Sequence, residues 1–128
     1  MERFLERKSE FEKALARLEE LLEQKEDEIV IDATLHRFEF TFELSWKTIK
    51  DYLEYQGIVE NIGSPREIIK LAFKHQIIED GEGWIEMMLA RNSLSHIYDE
   101  QTSRNIYKEI KEKYIKLLQE FKRKLEIL

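Results

Sequence analysis

The sequence contains no cysteine, only one proline and only four glycines among its 128 residues. The absence of cysteine excludes disulfide bonds, thiolate catalysis and cysteine-ligated metal sites, and it is compatible with a reducing compartment. Few residues favour turns, whereas 38% of the residues are charged and 42% are hydrophobic. Such a composition is typical of long solvated helices that each bury an apolar stripe. An all-α fold is therefore predicted.

Long hydrophobic runs and an excess of positive charge are also lacking. No apolar run approaches the roughly 20 residues that a membrane-spanning helix needs. The segment MERFLERKSEFEKAL alternates in charge, unlike a signal peptide. We therefore expect a cytoplasmic protein with no membrane partner. The formal net charge of -6 argues against broad electrostatic capture of nucleic acid, although it allows a local basic site.

Apolar spacing predicts five helices in one helical bundle domain that spans residues 1–128. The first helix is expected over about residues 2 to 25. The segment IVIDAT is interpreted as a connection, after which Asp32 caps the second helix. Gly57 is expected to end that helix in a left-handed conformation. The second helix is apolar on more than one face, which places it at the centre of the bundle or against a second chain.

Capping residues predict the remaining helices. Ser64 and Glu67 form a capping box at the start of a short third helix. A fourth helix begins near Asp80 or Gly81, and Thr102 caps the last long helix. The predicted fold is an antiparallel up-and-down bundle of four long helices plus one short helix.

The stretch LARNSLSHIYDE at 89–100 places a group of polar side chains at the end of the fourth helix. They fall on two adjacent stripes of an ideal helix. The first stripe continues from Trp84 and Met88 and holds Arg91, Ser95 and Tyr98. The second stripe holds Asn92, His96 and Asp99.

Arginine and histidine together can carry metal-independent cleavage of RNA. The imidazole of His96 can take a proton from a ribose 2′-hydroxyl or give one to the leaving 5′-oxygen. The guanidinium of Arg91 can hold the phosphate through its planar set of donors. The two side chains lie about 140° apart around an ideal helix, so one helix aims them poorly at a single phosphate. Two copies that face each other across a dimer axis would combine the two groups.

The same residues resemble a known family. Arg91 to His96 matches the Arg-x4-His pattern of the HEPN superfamily, and Tyr98 extends it to Arg-x4-His-x-Tyr. The segments RFEFTFELSWKTIKDYL, SPRE and GEGWIEMMLARNSLSHIYDE are similar to the branch called nucleotidyltransferase substrate-binding proteins. Arg-x4-His alone is common by chance, but its combination with these segments is more specific.

The resemblance implies a HepT-like toxin whose ribonuclease site lies at a homodimer interface. It implies that Arg91 and His96 are the catalytic pair and that RNA is the substrate. It also implies that a partner, a minimal nucleotidyltransferase encoded by a neighbouring gene, attaches AMP to Tyr98 and silences the toxin. No cofactor and no metal are expected. The auxiliary polar residues of the site are Asn92, Ser95 and Asp99.

Nucleotidyl transfer itself is not expected of this chain. Its only Gly-Ser pair, Gly63-Ser64, is followed by Pro65 and by no Asp-x-Asp motif, so two-metal catalysis has no ligands here. The alternative function is a non-catalytic substrate-binding subunit of the nucleotidyltransferase, in which the same polar sector binds or presents a ligand. A third hypothesis is a purely structural helical interaction protein, because isolated polar residues on a helix usually contact only solvent.

Overall fold

The computed structural model describes residues 1–58, 63–96 and 99–128, and no strand occurs within these ranges. A 3-10 turn extends the fourth helix, and a π segment joins the last two helical stretches into one long C-terminal helix. The predicted all-α bundle of four long helices and one short helix is thereby confirmed. No helix of the described residues combines the length and apolar character needed to cross a membrane. The helices are α1 (Glu2–Leu22), α2 (Glu28–Tyr55), α3 (Pro65–Lys74), α4 (Gly81–Ser93), α5 (Glu100–Glu109) and α6 (Ile115–Ile127), with the 3-10 turn at Leu94–His96 and the π segment at Ile110–Tyr114.

Helix α2 occupies the centre of the bundle, as its apolar faces predicted. It packs along α1 and also contacts α3, α4 and α5. Four of its buried residues carry hydroxyl groups, and each hydroxyl donates to a backbone carbonyl about one turn earlier in the helix. Because these groups are hydrogen bonded, their burial leaves no unsatisfied donor. These residues are Thr34, Thr41, Ser45 and Thr48.

The predicted start of α2 is wrong. The helix begins at Glu28, and Asp27 is its N-cap, with the side chain accepting a hydrogen bond of 2.8 Å from the Val30 N–H. Asp32 therefore lies inside the helix with its side chain exposed. Ile31 is buried in this first part of α2, so packing overrides the β-branched character that suggested a connection.

Other helix ends agree better with the predictions made from the sequence. Gly57 has φ 72, which confirms the left-handed residue after α2. Asp80 caps α4 and accepts a hydrogen bond of 2.9 Å from the Gly83 N–H, as predicted. Ser64 lies at the N-cap of α3, but its side chain makes no capping hydrogen bond, so the predicted capping box is wrong. Pro65 at the first helical position fixes φ and starts α3 without it.

An aromatic cluster holds α4 against the rest of the bundle. Trp84 of α4 makes an edge contact with Phe121 of α6 at 5.7 Å between ring centroids and a tilted contact with Phe42 of α2 at 6.3 Å. Phe11 of α1 packs against Phe121 at 5.3 Å. Burial of each such side chain stabilises the fold by about 1.5–3 kcal/mol. The cluster therefore fixes where α4 lies on the bundle and, with it, the position of the C-terminal end of α4.

The π segment also faces α4. Tyr114 is buried, stacks on Phe38 at 5.7 Å and donates a hydrogen bond of 2.8 Å to the Glu109 carboxylate. Burial, together with this bond to a carboxylate, raises the pKa of the Tyr114 hydroxyl above its usual range. Lys113 forms an ion pair with Glu86 of α4. The C-terminal helix is thus tied to α4 by both polar and apolar contacts.

Candidate functional site

The side of α4 that carries Arg91 begins in the core. Trp84 and Met88, the first residues of the stripe that holds Arg91, are buried. The reason is that α4 packs on α2 and on the π segment along this side. Arg91, the next residue of the stripe, has a side chain that is 31% exposed. On this side of α4, the polar side chains are therefore confined to the C-terminal end.

Arg91 is directed at α2. Its Nη2 lies 3.2 Å from Oε2 of Glu43 and 3.8 Å from Oε1 of Glu39. The other oxygen of Glu43 lies 3.6 Å from Nζ of Lys47. Glu43 and Lys47 have the i, i+4 spacing of a helical ion pair, whereas the contact of both glutamates with Arg91 was not predicted from the sequence. The only sequence signal for it is that two glutamates four residues apart share one face of a helix.

The next residues span the last turn of α4 and the 3-10 turn that follows it. Asn92, Ser95 and His96 are exposed. The Ser95 hydroxyl donates to the Asn92 carbonyl at 3.0 Å, and the Ser93 hydroxyl donates to the Ala90 carbonyl at 2.7 Å. These bonds satisfy carbonyl groups at the end of α4. Ser95 therefore has a local structural partner, and its auxiliary role in a site stays a prediction, as does that of Asn92.

The 3-10 turn does not bring Arg91 and His96 together. With steps of about 100° in the α-helix and about 120° in the turn, the two side chains point roughly 160° apart. This separation is slightly larger than the one expected for a regular helix. Arg91 accordingly faces the carboxylates of α2, whereas His96 faces solvent. Both side chains lie at the same end of α4, but they point to different sides of the helix.

Asp99 begins the next helix. Its carboxylate accepts hydrogen bonds from the Thr102 N–H at 2.7 Å and from the Thr102 hydroxyl at 3.0 Å. Asp99 is thus the N-cap of α5, and the prediction that Thr102 caps this helix is wrong. The bond from the Thr102 N–H holds the pKa of Asp99 below its usual range. Tyr98, the predicted site of modification, lies outside the described residues.

Arg91 and His96 do not line either of two grooves formed by the described residues. Two nearby grooves are lined by other residues: an apolar groove between α3 and α4 around Phe73 and Ile85, and an acidic groove beside Asp99. Within the described ranges, no group of three or more His, Cys, Asp or Glu side chains is placed to hold a metal ion. This end of α4 offers the guanidinium of Arg91 next to two carboxylates of α2, the imidazole of His96 and neutral polar groups.

A family model and a curated relative match this chain. The model of the family described as nucleotidyltransferase substrate binding protein like covers residues 6–127. A protein of Haemophilus influenzae described as a probable ribonuclease HepT is 31% identical over 84 residues, which are 63% of this chain and 58% of that protein. The match thus spans less than two thirds of the relative.

Solved structures share the fold. A crystal structure of a Thermus thermophilus protein has 31% sequence identity and a TM-score of 0.73, and the match covers 91% of this chain and 92% of that one. A Haemophilus influenzae protein, described as having the fold of a substrate binding domain of a nucleotidyltransferase, has 22% identity and a TM-score of 0.80 over 93% and 98% of the two chains. At that identity the likeness concerns the fold alone. The family model matches almost the whole chain and shows that the chain belongs to the family described as nucleotidyltransferase substrate binding protein like.

Proposed function

We propose that this protein is a metal-independent endoribonuclease that acts as a homodimer, with Arg91 and His96 as its catalytic pair. The observation that carries the proposal is the placement of both side chains at the open end of α4, where Arg91 is partly exposed and His96 is exposed. The similarity to a probable ribonuclease of Haemophilus influenzae supports the same reaction.

In the proposed reaction, His96 removes the proton from a ribose 2′-hydroxyl. The 2′-oxygen then attacks the adjacent phosphorus, the bond from phosphorus to the 5′-oxygen breaks, and that oxygen leaves with a proton from a second imidazole. The products are a 2′,3′-cyclic phosphate and a 5′-hydroxyl end. Arg91 holds the phosphate and stabilises the charge that develops on it. No step requires a metal ion.

The proposed homodimer follows from the directions of the two side chains. Because Arg91 and His96 point roughly 160° apart on one chain, a single copy cannot direct both at one phosphate. A two-fold axis near the end of α4 would bring the histidine of one copy towards the arginine of the other and would supply two imidazoles. A monomeric variant is therefore expected to bind RNA weakly and to cleave it poorly.

The proposed regulation is the attachment of AMP to Tyr98 by a minimal nucleotidyltransferase, so that the pair acts as toxin and antitoxin. Tyr98 is two residues from His96 in the sequence. AMP on Tyr98 would add bulk and a phosphate anion next to the catalytic motif in the sequence, and the anion would compete with the RNA phosphate for the guanidinium of Arg91. Co-expression with the partner should add the mass of one or more AMP units to the wild type and none to Tyr98→Phe.

The ribonuclease proposal can be tested with two histidine variants. Wild type, His96→Ala and His36→Ala are purified without the partner and incubated with total cellular RNA in EDTA. His36 is an exposed histidine in the N-terminal half of α2, so it controls for the loss of a surface imidazole. Wild type and His36→Ala should cleave, whereas His96→Ala should remain folded and inactive. Cleavage by His96→Ala at the wild-type rate would overturn the assignment.

A second candidate function is a non-catalytic substrate-binding subunit of a nucleotidyltransferase. The family description and the description of the Haemophilus influenzae structure favour it, since both refer to substrate binding. Under this function the exposed end of α4 binds or presents a ligand to the partner enzyme. A folded, dimeric and unmodified wild type that leaves RNA intact, but forms a stable complex with the transferase, would support it.

A further inference from the structure

We propose that Glu43 is a positioning residue for Arg91 and that Lys47 fixes Glu43 from the other side. The inference rests on the proposed ribonuclease function, in which Arg91 holds the phosphate of the RNA. It adds a residue of α2 to a site that the sequence pattern placed entirely at the end of α4.

Each oxygen of the Glu43 carboxylate faces a different cation. Oε2 lies 3.2 Å from Nη2 of Arg91, and Oε1 lies 3.6 Å from Nζ of Lys47. The carboxylate is therefore held between two positive groups, one on its own helix and one on α4. A carboxylate fixed on both sides defines where the guanidinium lies better than a freely rotating one would.

Arg91 needs such a contact because nothing else fixes its guanidinium within the described part of the chain. Its Nε is buried and has no hydrogen-bond partner among the described residues. Its ion pairs with Glu39 and Glu43 are both made at Nη2, so these two contacts determine where the guanidinium lies. A misplaced arginine loses much of its catalytic value, since transition-state stabilisation depends on donors that are already in position.

The balance of charge favours positioning over inhibition. Two carboxylates next to one arginine would repel an incoming phosphate, but Lys47 adds a second positive charge. Glu39, Glu43, Lys47 and Arg91 therefore sum to a net charge of zero. The phosphate approaches a neutral cluster with one oriented guanidinium. The contact of Arg91 with Glu39 is longer, at 3.8 Å, so Glu39 has the smaller part in this arrangement.

The same helix provides a matched control. Glu54 pairs with Lys50 at 3.9 Å, also four residues apart. The side chain of Glu54 is 33% exposed, close to the 31% of Glu43. The ion pair of Glu54 involves no arginine among the described residues. Glu54→Gln thus removes one carboxylate charge and one helical ion pair from α2 and leaves the contact with Arg91 intact.

The experiment compares wild type, Glu43→Gln, Glu43→Asp and Glu54→Gln on a defined RNA in EDTA. Glu43→Gln should lower kcat by about tenfold or more and change KM much less, because Arg91 remains present but is no longer held. Glu43→Asp should recover part of kcat, and Glu54→Gln should match wild type. In the absence of RNA, an arginine-specific dicarbonyl reagent followed by peptide mass spectrometry should modify Arg91 faster in Glu43→Gln than in wild type.

The outcomes separate this inference from the proposed function. If wild type cleaves RNA and Glu43→Gln keeps its kcat, the positioning role is overturned and the ribonuclease proposal stands. A loss of kcat that also occurs in Glu54→Gln, or that leaves the modification rate of Arg91 unchanged, overturns the positioning role as well. If wild type is folded, unmodified and inactive, the ribonuclease proposal falls and this inference falls with it.

Discussion

Helix α2 binds an arginine of a neighbouring helix at two places. Asp51 lies 3.2 Å from Nε of Arg7 on α1, and Glu43 lies 3.2 Å from Nη2 of Arg91 on α4. The two arginine side chains are similarly exposed, at 28% and 31%, but the Asp51 side chain is 6% exposed and the Glu43 side chain 31%. The two ion pairs thus differ in the exposure of the carboxylate and hardly at all in the exposure of the arginine.

This difference determines what each ion pair can do. Burial raises the pKa of Asp51, and the neighbouring Arg7 only partly opposes that rise. Such a carboxylate needs its cation permanently, so the pair ties α1 to α2. Glu43 keeps contact with water and with Lys47, so Arg91 can also contact a ligand. The structural ion pair and the pair that can also bind a ligand thus differ in the solvent exposure of the carboxylate, whereas the two arginines are similarly exposed.

The largest effect that would test this contrast is expected for Arg91→Ala. RNA cleavage should fall by about 100-fold or more, because the phosphate loses its guanidinium. The free energy of unfolding should change by less than about 1 kcal/mol, since the ion pair is partly exposed. Steady-state cleavage and urea denaturation measure the two quantities. Wild-type cleavage by this variant would remove the proposed functional role from the α4 region.

The next largest effect is expected for Arg7→Ala. Removing Arg7 leaves the buried Asp51 carboxylate without a cation, which should lower the free energy of unfolding by about 2 kcal/mol. Cleavage per folded molecule should remain unchanged. Arg17→Ala is the control, because Arg17 and Glu20 form an exposed pair that contributes little. Equal stability of the Arg7 and Arg17 variants in urea denaturation would contradict a structural role for the buried pair.

The smallest effect is expected in how the stability of Asp51→Asn depends on pH. The pKa of Asp51 in the folded chain is raised above its ordinary value of 3.8, so the folded state binds this proton more tightly than the unfolded state does. The contribution of Asp51 to stability therefore falls as pH rises from about 3.8 through the folded pKa. Asparagine has no such proton, so the variant should gain stability relative to wild type over this range. If the difference in the free energy of unfolding between wild type and Asp51→Asn does not change with pH, Arg7 fully offsets the effect of burial on the pKa of Asp51.

The sequence predicted the helices better than it predicted their first residues. Gly57 was predicted correctly because only a few residue types tolerate its positive φ. Asp32 and Thr102 were wrong as N-caps because an aspartate occurs three to five residues earlier in each case. Asp27 and Asp99 are the actual caps. Several nearby residues have the chemistry of an N-cap, and tertiary packing decides which of them is used.

The candidate site was predictable only where it is local in sequence. Arg91 and His96 belong to one short motif, and the structure places both at the surface end of α4. Glu43 could not be assigned to the same site, because its contact with Arg91 depends on how α4 packs against α2. The 3-10 turn was also not predicted, and it changes the direction of His96 relative to Arg91.

The π segment Ile110–Tyr114 gives the long C-terminal helix one residue more than a regular α-helix needs over the same path. Elsewhere in a helix, loss of one codon rotates everything that follows by about 100° and moves a buried stripe to the surface. Within this segment the three residues between Ile110 and Tyr114 are exposed. Loss of the codon for Glu112 would let the helix close into regular turns with Ile110 and Tyr114 still buried. Elsewhere in this helix the deletion of one residue would disrupt the packing, whereas a deletion within the π segment would preserve the fold.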